Sequence, residues 1–219
     1  MGWSSLLLLL AVIAGPAPQS PAPQPPAPQP QAAELPPPFP RPGTTRLLEN
    51  DAVAVWNVSW LKQKYPLHHH RYDLVGISYT DGDRIITQGN APGRLTNTKA
   101  WVFQTNRAGV IHVEEGASDP PLRAVLIEVK TPAPRPVAAA EVTDGLRQVA
   151  GAPTWENNRA AAWLVAGGTS APRHRHVGDA VELIFDGSTT PKADFIPAGT
   201  VHTGPAPADG ARAYIFEIK

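Results

Sequence analysis

Two stretches of this 219-residue chain repeat one another, so the folded part consists of two copies of one unit. The matched segments, in chain order, are ENDAVAVW (49–56) with ENNRAAAW (156–163), HHHRYDLV (68–75) with HRHVGDAV (174–181), AGVIH (108–112) with AGTVH (198–202), and LRAVLIEVK (122–130) with ARAYIFEIK (211–219). The offset between partners is 107 and 106 residues in the first two pairs and 90 and 89 in the last two. One change of offset indicates a duplication with one length difference. The first copy has about 17 extra residues between Gly82 and Ala108.

Both copies carry the pattern of β-strands. Side chains alternate along VAVWNVSW (53–60), and short runs such as LVGISY, RIITQ and AVLIEV are rich in β-branched residues. Turn residues such as Asp81-Gly82 and Pro92-Gly93 separate these runs. The pattern predicts an all-β sandwich or barrel, and the second copy, at about 65 residues, is expected to pack against the first. Only 137–149, between the copies, has helical spacing.

All seven histidines lie in the matched segments, three of them in the second copy. A His-x-His pair on a strand places both rings on one face, because strand side chains alternate. The alignment selects the first and third histidine of the HHH run, and His69 is expected to point away. Three converging imidazoles can hold a divalent transition metal. The predicted ligands are His68, His70 and His112 in the first copy and His174, His176 and His202 in the second.

These motifs resemble those of the cupin family. That family's first motif has His-x-His, a spacer, Glu and a strand ending in Gly, and its second is Pro-x-Gly-x-x-His. The second copy reads HRHVGDAVELIFDG and then IPAGTVHTG; the first reads HHHRYDLVGISYTDG and TNRAGVIHVEEG, without the proline. The opening ENDAVAVWNVSW also resembles a broad group of small bacterial cupins of mostly unassigned function. The resemblance implies two double-stranded β-helix (jelly-roll) barrels, a bicupin, each with a metal inside its mouth.

Both copies depart from this motif at its glutamate. The motif's Glu falls at Leu74 in the first copy and at Ala180 in the second, and neither side chain can bind metal. Asp73 and Asp179 lie one residue earlier, where each could be a fourth ligand but is favoured as a hydrogen-bond partner that orients a ligating imidazole. The predicted centre is therefore three histidines with Fe, Mn or Zn, and the sequence does not choose among these metals.

Aromatic side chains of the first copy are candidates for the lining of a ligand pocket beside its metal. They are Tyr72, Tyr79, Trp101 and Phe103, with packing in the core as the alternative. Trp56 and Trp163 match between the copies and are predicted to pack in the core. Glu114 and Glu115 follow the third histidine, where they could supply a general base, but a solvated turn is the favoured interpretation.

The first 40 residues differ in composition from the rest. The apolar run from Leu6 to Ala14 has the length of a signal-peptide core, and half of the 26 prolines lie between Pro16 and Pro42. The predicted organisation is a signal peptide at 1–14, a disordered Pro/Gln/Ala-rich spacer at 15–43, a barrel at 44–131, a connection with a short helix at 132–152, and a shortened barrel at 153–219. This predicts an exported protein, periplasmic or extracellular, with no stable membrane span after processing.

Charge and cysteine content limit the functions of the chain. It has 19 basic and 19 acidic side chains and no cysteine, which argues against a nucleic-acid surface and excludes disulfides, thiolate zinc sites and thiol nucleophiles. The leading hypothesis is a metal-dependent enzyme, an oxygenase or an isomerase or lyase, acting on a small polar metabolite. The alternatives are an exported module that binds a small ligand or carbohydrate without turnover, and a structural scaffold with degenerate sites. Either a monomeric bicupin or a homodimer fits.

Overall fold

A computed structural model describes residues 35–131 and 143–219 of the chain. The first copy contains strands β1 (Thr44–Glu49), β2 (Val53–Ser59), β3 (His68–His69), β4 (Asp73–Ser78), β5 (Gly82–Thr87), β6 (Arg94–Thr98), β7 (Phe103–Asn106), β8 (Ile111–Gly116) and β9 (Arg123–Val129). The second contains helix α1 (Leu146–Ala150) and strands β10 (Trp155–Glu156), β11 (Ala160–Ala166), β12 (Arg173–Arg175), β13 (Ala180–Phe185), β14 (Lys192–Ile196), β15 (Val201–Thr203) and β16 (Arg212–Ile218). The predicted signal peptide, spacer residues 15–34 and residues 132–142 lie outside the described part.

Each copy is a pair of antiparallel sheets that face one another. The first copy has a five-stranded sheet, β1-β2-β9-β4-β7, and a four-stranded sheet, β3-β8-β5-β6. The second has the matching five-stranded sheet, β10-β11-β16-β13-β14, and a two-stranded sheet, β12-β15. Matched segments occupy matched strands, because β2, β4 and β9 correspond to β11, β13 and β16. The prediction of two all-β jelly-roll barrels is confirmed.

The extra residues of the first copy form one hairpin. Strands β5 and β6 pair with each other and lie in the chain between β4 and β7, whereas β13 and β14 of the second copy follow one another directly. The hairpin joins the smaller sheet because β5 also pairs with β8. The first barrel therefore has a wider wall on the side of its histidines.

The large sheets of the two barrels pack on each other and share one core. Alternate residues of β2, β4 and β9 face this shared core, including the fully buried Val55, Ile77 and Ile127, and the second barrel contributes residues such as Leu183 and Phe216. The intervening residues face the interior of their own barrel. Burial on both faces explains why β9 is an almost continuous apolar run.

Three of the four aromatic side chains considered as possible pocket lining pack at this interface, in agreement with the alternative of core packing. Trp101 and Phe103 both contact Tyr214 of the second barrel, at ring centroid distances of 6.2 and 5.8 Å, and Tyr79 lies 5.4 Å from Phe185. Tyr72 is 37% exposed. The other three rings lie between the large sheets of the two barrels, because the second barrel covers the apolar face of the first barrel's large sheet. The sequence of the first copy alone does not predict this contact. The matched tryptophans, by contrast, lie in the barrel interiors as predicted.

Residues 35–43, expected in the spacer, pack on the first barrel. Phe39 is 5% exposed and contacts Trp56 at 5.5 Å, and the carbonyl of Pro36 accepts a hydrogen bond of 3.0 Å from the backbone of His69. In the second copy Asp144 accepts the same bond from Arg175 at 2.8 Å. Residues 35–43 therefore pack as part of the first barrel, because apolar side chains such as Phe39 are buried against its core.

The helical prediction over 137–149 holds only near its end. Within the described residues the helix runs from Leu146 to Ala150, and Leu146 is buried in the interior of the second barrel. Residues 137–142 lie outside the described part. No helix in the described ranges is long and apolar enough to cross a membrane.

Candidate metal centres

Strand register brings three histidines together in each barrel. In the first, β3 pairs with β8 so that His68 lies directly opposite His112, and in the second His174 lies opposite His202 in the same way. The third ring of each set comes from the residue two positions after the first, on the same face of the chain. His69 is outside the first group. The groups are His68, His70 and His112, and His174, His176 and His202.

The ring nitrogens of each group converge on one point. One nitrogen from each ring lies within 4.8 Å of the others in its group. The Nε2 atoms of His70 and His112 are 3.1 Å apart, and that of His176 lies 3.2 Å from His174 and 2.9 Å from His202. Two nitrogens bound at the usual distance to one tetrahedral zinc are about 3.3 Å apart. Both groups therefore have the size that a metal ion requires.

A backbone carbonyl fixes the proton of one ring in each group. The Nδ1 of His68 lies 3.0 Å from the carbonyl of Pro66, and the Nδ1 of His174 lies 2.7 Å from that of Pro172. A carbonyl can only accept, so Nδ1 carries the proton and Nε2 keeps its lone pair. The Nε2 of His68 is buried without a partner among the described residues. This is the arrangement of metal-ligating histidines, which donate their other N–H to a carbonyl.

Burial keeps these imidazoles in the form that binds metal. Desolvation, followed by the neighbouring imidazoles, lowers the pKa of His70 to about 3. Desolvation also lowers the pKa of His112 to about 4, against the attraction of Glu114. It lowers the pKa values of His68 and His174 as well. Such rings are neutral near pH 7, and only neutral imidazole can coordinate a metal.

Asp73 and Asp179 do not contact the histidines within the described structure. Each carboxylate instead accepts a backbone N–H at the start of the turn that leads to the third histidine: Ala108 at 2.9 Å and Ala198 at 3.0 Å. Asp73 also pairs with the buried guanidinium of Arg159 at 2.9 Å. The described structure therefore places neither carboxylate in the position of a fourth ligand or of a partner that orients an imidazole. The aspartates hold a turn because they lie one residue out of phase with the inward face.

This difference predicts unequal costs for the two aspartates. Asp179→Ala should lower the free energy of unfolding by about 1 kcal/mol, the usual worth of one hydrogen bond. Asp73→Ala should cost about 3 kcal/mol, because it also leaves Arg159 buried without its charge partner. Urea titrations of both variants measure the two losses. Equal losses would contradict the role given to Arg159.

A buried glutamate lies beside the first histidine group. Glu114, two residues after His112 and on the same face of β8, is 4% exposed, and its Oε1 lies 3.8 Å from His112 Nε2. Its carboxylate accepts bonds from Arg41 at 2.8 Å, Trp60 at 2.9 Å and Arg84 at 3.3 Å. Burial raises the pKa of Glu114, but the two guanidiniums outweigh it and lower the pKa to about 2. The solvated position expected for Glu114 is wrong.

Two other carboxylates lie beside the second group. The Oε1 of Glu182 is 3.4 Å from His202 Nε2, and the Oε2 of Glu217 is 3.4 Å from His176 Nδ1. Both oxygens are buried without a hydrogen-bond partner among the described residues. Desolvation raises the pKa of Glu182 to about 7. Glu182 lies two residues after Ala180, so strand alternation from the motif position could have identified it. No comparable signal marks Glu217.

Comparison with known proteins bears on the fold. No family model and no curated protein matches the chain. AerE from Microcystis aeruginosa is 13% identical over 84% of this chain and 98% of that chain, with a TM-score of 0.58. A cupin domain from Bordetella pertussis Tohama I is 25% identical over 42% of this chain and 99% of that chain, with a TM-score of 0.38. A cupin 2 conserved barrel domain protein from Leptotrichia buccalis is 14% identical over 80% and 88%, with a TM-score of 0.43.

Proposed function

We propose that this chain, which has a duplicated cupin fold, binds one divalent transition metal ion in each barrel. The observation that carries the proposal is the convergence of one ring nitrogen from each of three histidines, within 4.8 Å of one another, in both copies. The proline carbonyls behind His68 and His174 support it, because they set the tautomer that presents a lone pair to the centre. Such a geometry repeated in two copies is unusual for histidines with a merely structural role.

The donor set fits the metals predicted from the sequence. Three neutral imidazoles suit Fe, Mn or Zn and leave further coordination positions for water or a ligand. A bound metal would supply Lewis-acid chemistry and, in the case of iron, redox chemistry. The chain's own residues hold the imidazoles, exclude water and set the charge around each centre. Glu182 and Glu217 lie beside the second centre, where His202 is the most exposed of the six histidines.

We further propose that the centres act on a small polar metabolite, as an oxygenase or as an isomerase or lyase. Burial of the histidines supports a small ligand, since His68, His70 and His112 are each no more than 3% exposed. Within the described residues, the shielding of these rings favours chemistry on a molecule of few atoms over binding of a polymer. Turnover of candidate metabolites by metal-loaded protein tests this part of the proposal.

Metal analysis of the purified full chain tests the metal centres. We expect one metal ion per barrel, with His68→Ala and His174→Ala each losing the metal of one barrel only. His69→Ala is the matched control, because His69 lies beside the first group but outside it, and it should retain both metals. Circular dichroism confirms that each variant is folded. A chain that takes up no metal, and whose melting temperature does not respond to added Zn, Mn or Fe, contradicts the proposal.

One feature also favours a structural role for these rings. Several Nε2 atoms lie within hydrogen-bond distance of each other, so each cluster can close by itself when one ring donates to the next. If the histidines have a structural role, the histidine variants should melt at lower temperatures than wild type whether or not metal is present. If the histidines bind metal, the melting temperatures of wild type and variant should become equal once a chelator removes the metal.

A further inference from the structure

The first histidine group lies in surroundings with an excess of positive charge. Arg41 and Arg84 have side chains that are 6% and 12% exposed, and the one carboxylate between them is Glu114, at 5%. The described residues around this site therefore leave one buried positive charge uncompensated. Buried charges are costly unless they are paired.

Several hydrogen-bond donors of these two arginines have no acceptor. The Nε and Nη1 of Arg41 and the Nε of Arg84 are buried without a partner in the described structure. Arg41 lies over the ring of Tyr65, with its guanidinium carbon 3.7 Å from the ring centroid, and the guanidinium carbon of Arg84 lies 4.7 Å from the centroid of Trp60. These rings contact the guanidiniums but provide no oxygen or nitrogen acceptor for the unpartnered N–H groups. A buried N–H group without an acceptor is unfavourable in free energy, so a ligand that supplies an acceptor there would be stabilised.

The second histidine group has carboxylates beside it, where the first has an excess of arginines. Its buried atoms without a hydrogen-bond partner include two carboxylate oxygens, the Oε1 of Glu182 and the Oε2 of Glu217. Gly204 occupies the position that corresponds to Glu114, at the offset of 90 residues shared by the third histidines. A metal cation alone would compensate the charge of the second site. A metal cation in the first site would add to the charge already there.

The charged groups of the first site come from parts in which the two copies differ. Arg84 lies on β5, in the hairpin that the second copy lacks, and Arg41 lies in the segment before β1. The strand that carries Glu114 is also longer than its counterpart, since β8 spans Ile111–Gly116 and β15 only Val201–Thr203. Arg41 and Arg84 therefore lie outside the segments that match between the two copies, and these positive charges are particular to the first copy.

We infer that the first barrel binds a small carboxylate ligand, held by Arg41 and Arg84 beside the histidine centre. A carboxylate supplies the acceptors that the arginines lack and matches the planar fork of a guanidinium. Its single negative charge offsets the positive charge that Arg41, Arg84 and Glu114 leave uncompensated. This inference rests on the proposed function for the metal, and it narrows the small polar metabolite to an anion. The ligand has few atoms, because the histidines and Glu114 are almost fully buried.

Acetate is the probe, and acetamide is its neutral counterpart of the same shape. Isothermal titration of the full chain, metal-free and zinc-loaded, at constant ionic strength set with chloride, should show acetate binding that is stronger with zinc present, and no acetamide binding. Arg41→Gln should weaken acetate binding by about tenfold or more, the effect of losing a charge-assisted hydrogen bond. Arg46→Gln is the matched control and should change nothing, because Arg46 is 56% exposed and pairs with Glu49.

Equal affinities for acetate and acetamide, or equal acetate binding by the two glutamine variants, would overturn the inference. If Arg41→Gln does not fold, as judged by circular dichroism, Arg41→Lys takes its place: it keeps the charge but loses the planar fork, and it should also bind acetate more weakly than wild type. The two proposals fail separately. Zinc uptake without acetate binding overturns the carboxylate site alone, and acetate binding by a chain that takes up no metal overturns the metal centres alone.

Discussion

Replacing Glu114 with glutamine should lower the free energy of unfolding by about 3–5 kcal/mol, because it leaves two buried guanidiniums without a carboxylate. Glu114 accepts bonds from Arg41 and Arg84 at 2.8 and 3.3 Å, and it also accepts the indole N–H of Trp60. Glutamine has nearly the same shape but no charge, so packing hardly changes. The loss of stability would therefore measure the attraction between the Glu114 carboxylate and the two buried guanidiniums. Urea denaturation followed by tryptophan fluorescence measures it.

The matched control for Glu114→Gln is Glu49→Gln. Glu49 also contacts two basic side chains, Arg46 and Lys130, but its own side chain is 38% exposed. Solvent screens such pairs, so the control should cost less than about 1 kcal/mol. A loss for Glu114→Gln no larger than that of the control would show that the arginine cluster does not hold the first barrel together.

Replacing Phe216 with alanine should lower the free energy of unfolding by about 3–5 kcal/mol and should destabilise both barrels together. Phe216 is fully buried in the shared core, and its ring lies 6.0 Å from that of Phe103 in the other barrel. The cavity left by the phenyl ring would lie between the two large sheets. Because each barrel covers the apolar face of the other, we expect one cooperative transition for the chain. Thermal unfolding by calorimetry and circular dichroism tests both statements.

Leu164→Ala is the control for this variant. Leu164 lies on β11, which pairs with the strand of Phe216, but its side chain is 41% exposed. Its truncation should therefore change the free energy of unfolding by well under 1 kcal/mol. If Phe216→Ala instead separated the unfolding into two transitions, with the first barrel melting at its original temperature, the shared core would not couple the barrels.

Much of the architecture could be predicted because the relevant signals are local. The repeated segments revealed two copies, and the alternation in strands such as VAVWNVSW indicated β-structure. The offsets between copies located the extra hairpin, which the structure shows as β5 and β6. The histidines could be sorted into two groups because strand alternation separates His69 from its neighbours, and the duplication supplied an internal comparison.

The carboxylates show where such reasoning stops. Asp73 and Asp179 lie next to the motif position, which predicts that they are the acidic partners of the histidines, but each holds a turn instead. Glu114 and Glu182, which do lie beside the rings, are two residues away from a recognised position. A shift of one residue on a strand turns a side chain to the opposite face, so the assignment depends on which residue the sheet turns inward.

By itself the sequence determined the duplication, the β-rich fold and the histidines that form the two groups, because these depend on spacing along the chain. Tertiary structure decided which charges surround each group. Arg41, Arg84 and Glu114 come from three separate segments, and they meet only when the segment before β1 and the inserted hairpin fold against β8. It also placed the aromatic rings of the first copy against the second barrel. Contacts between distant segments depend on strand pairing and on which faces another element covers, and spacing along the chain does not encode them.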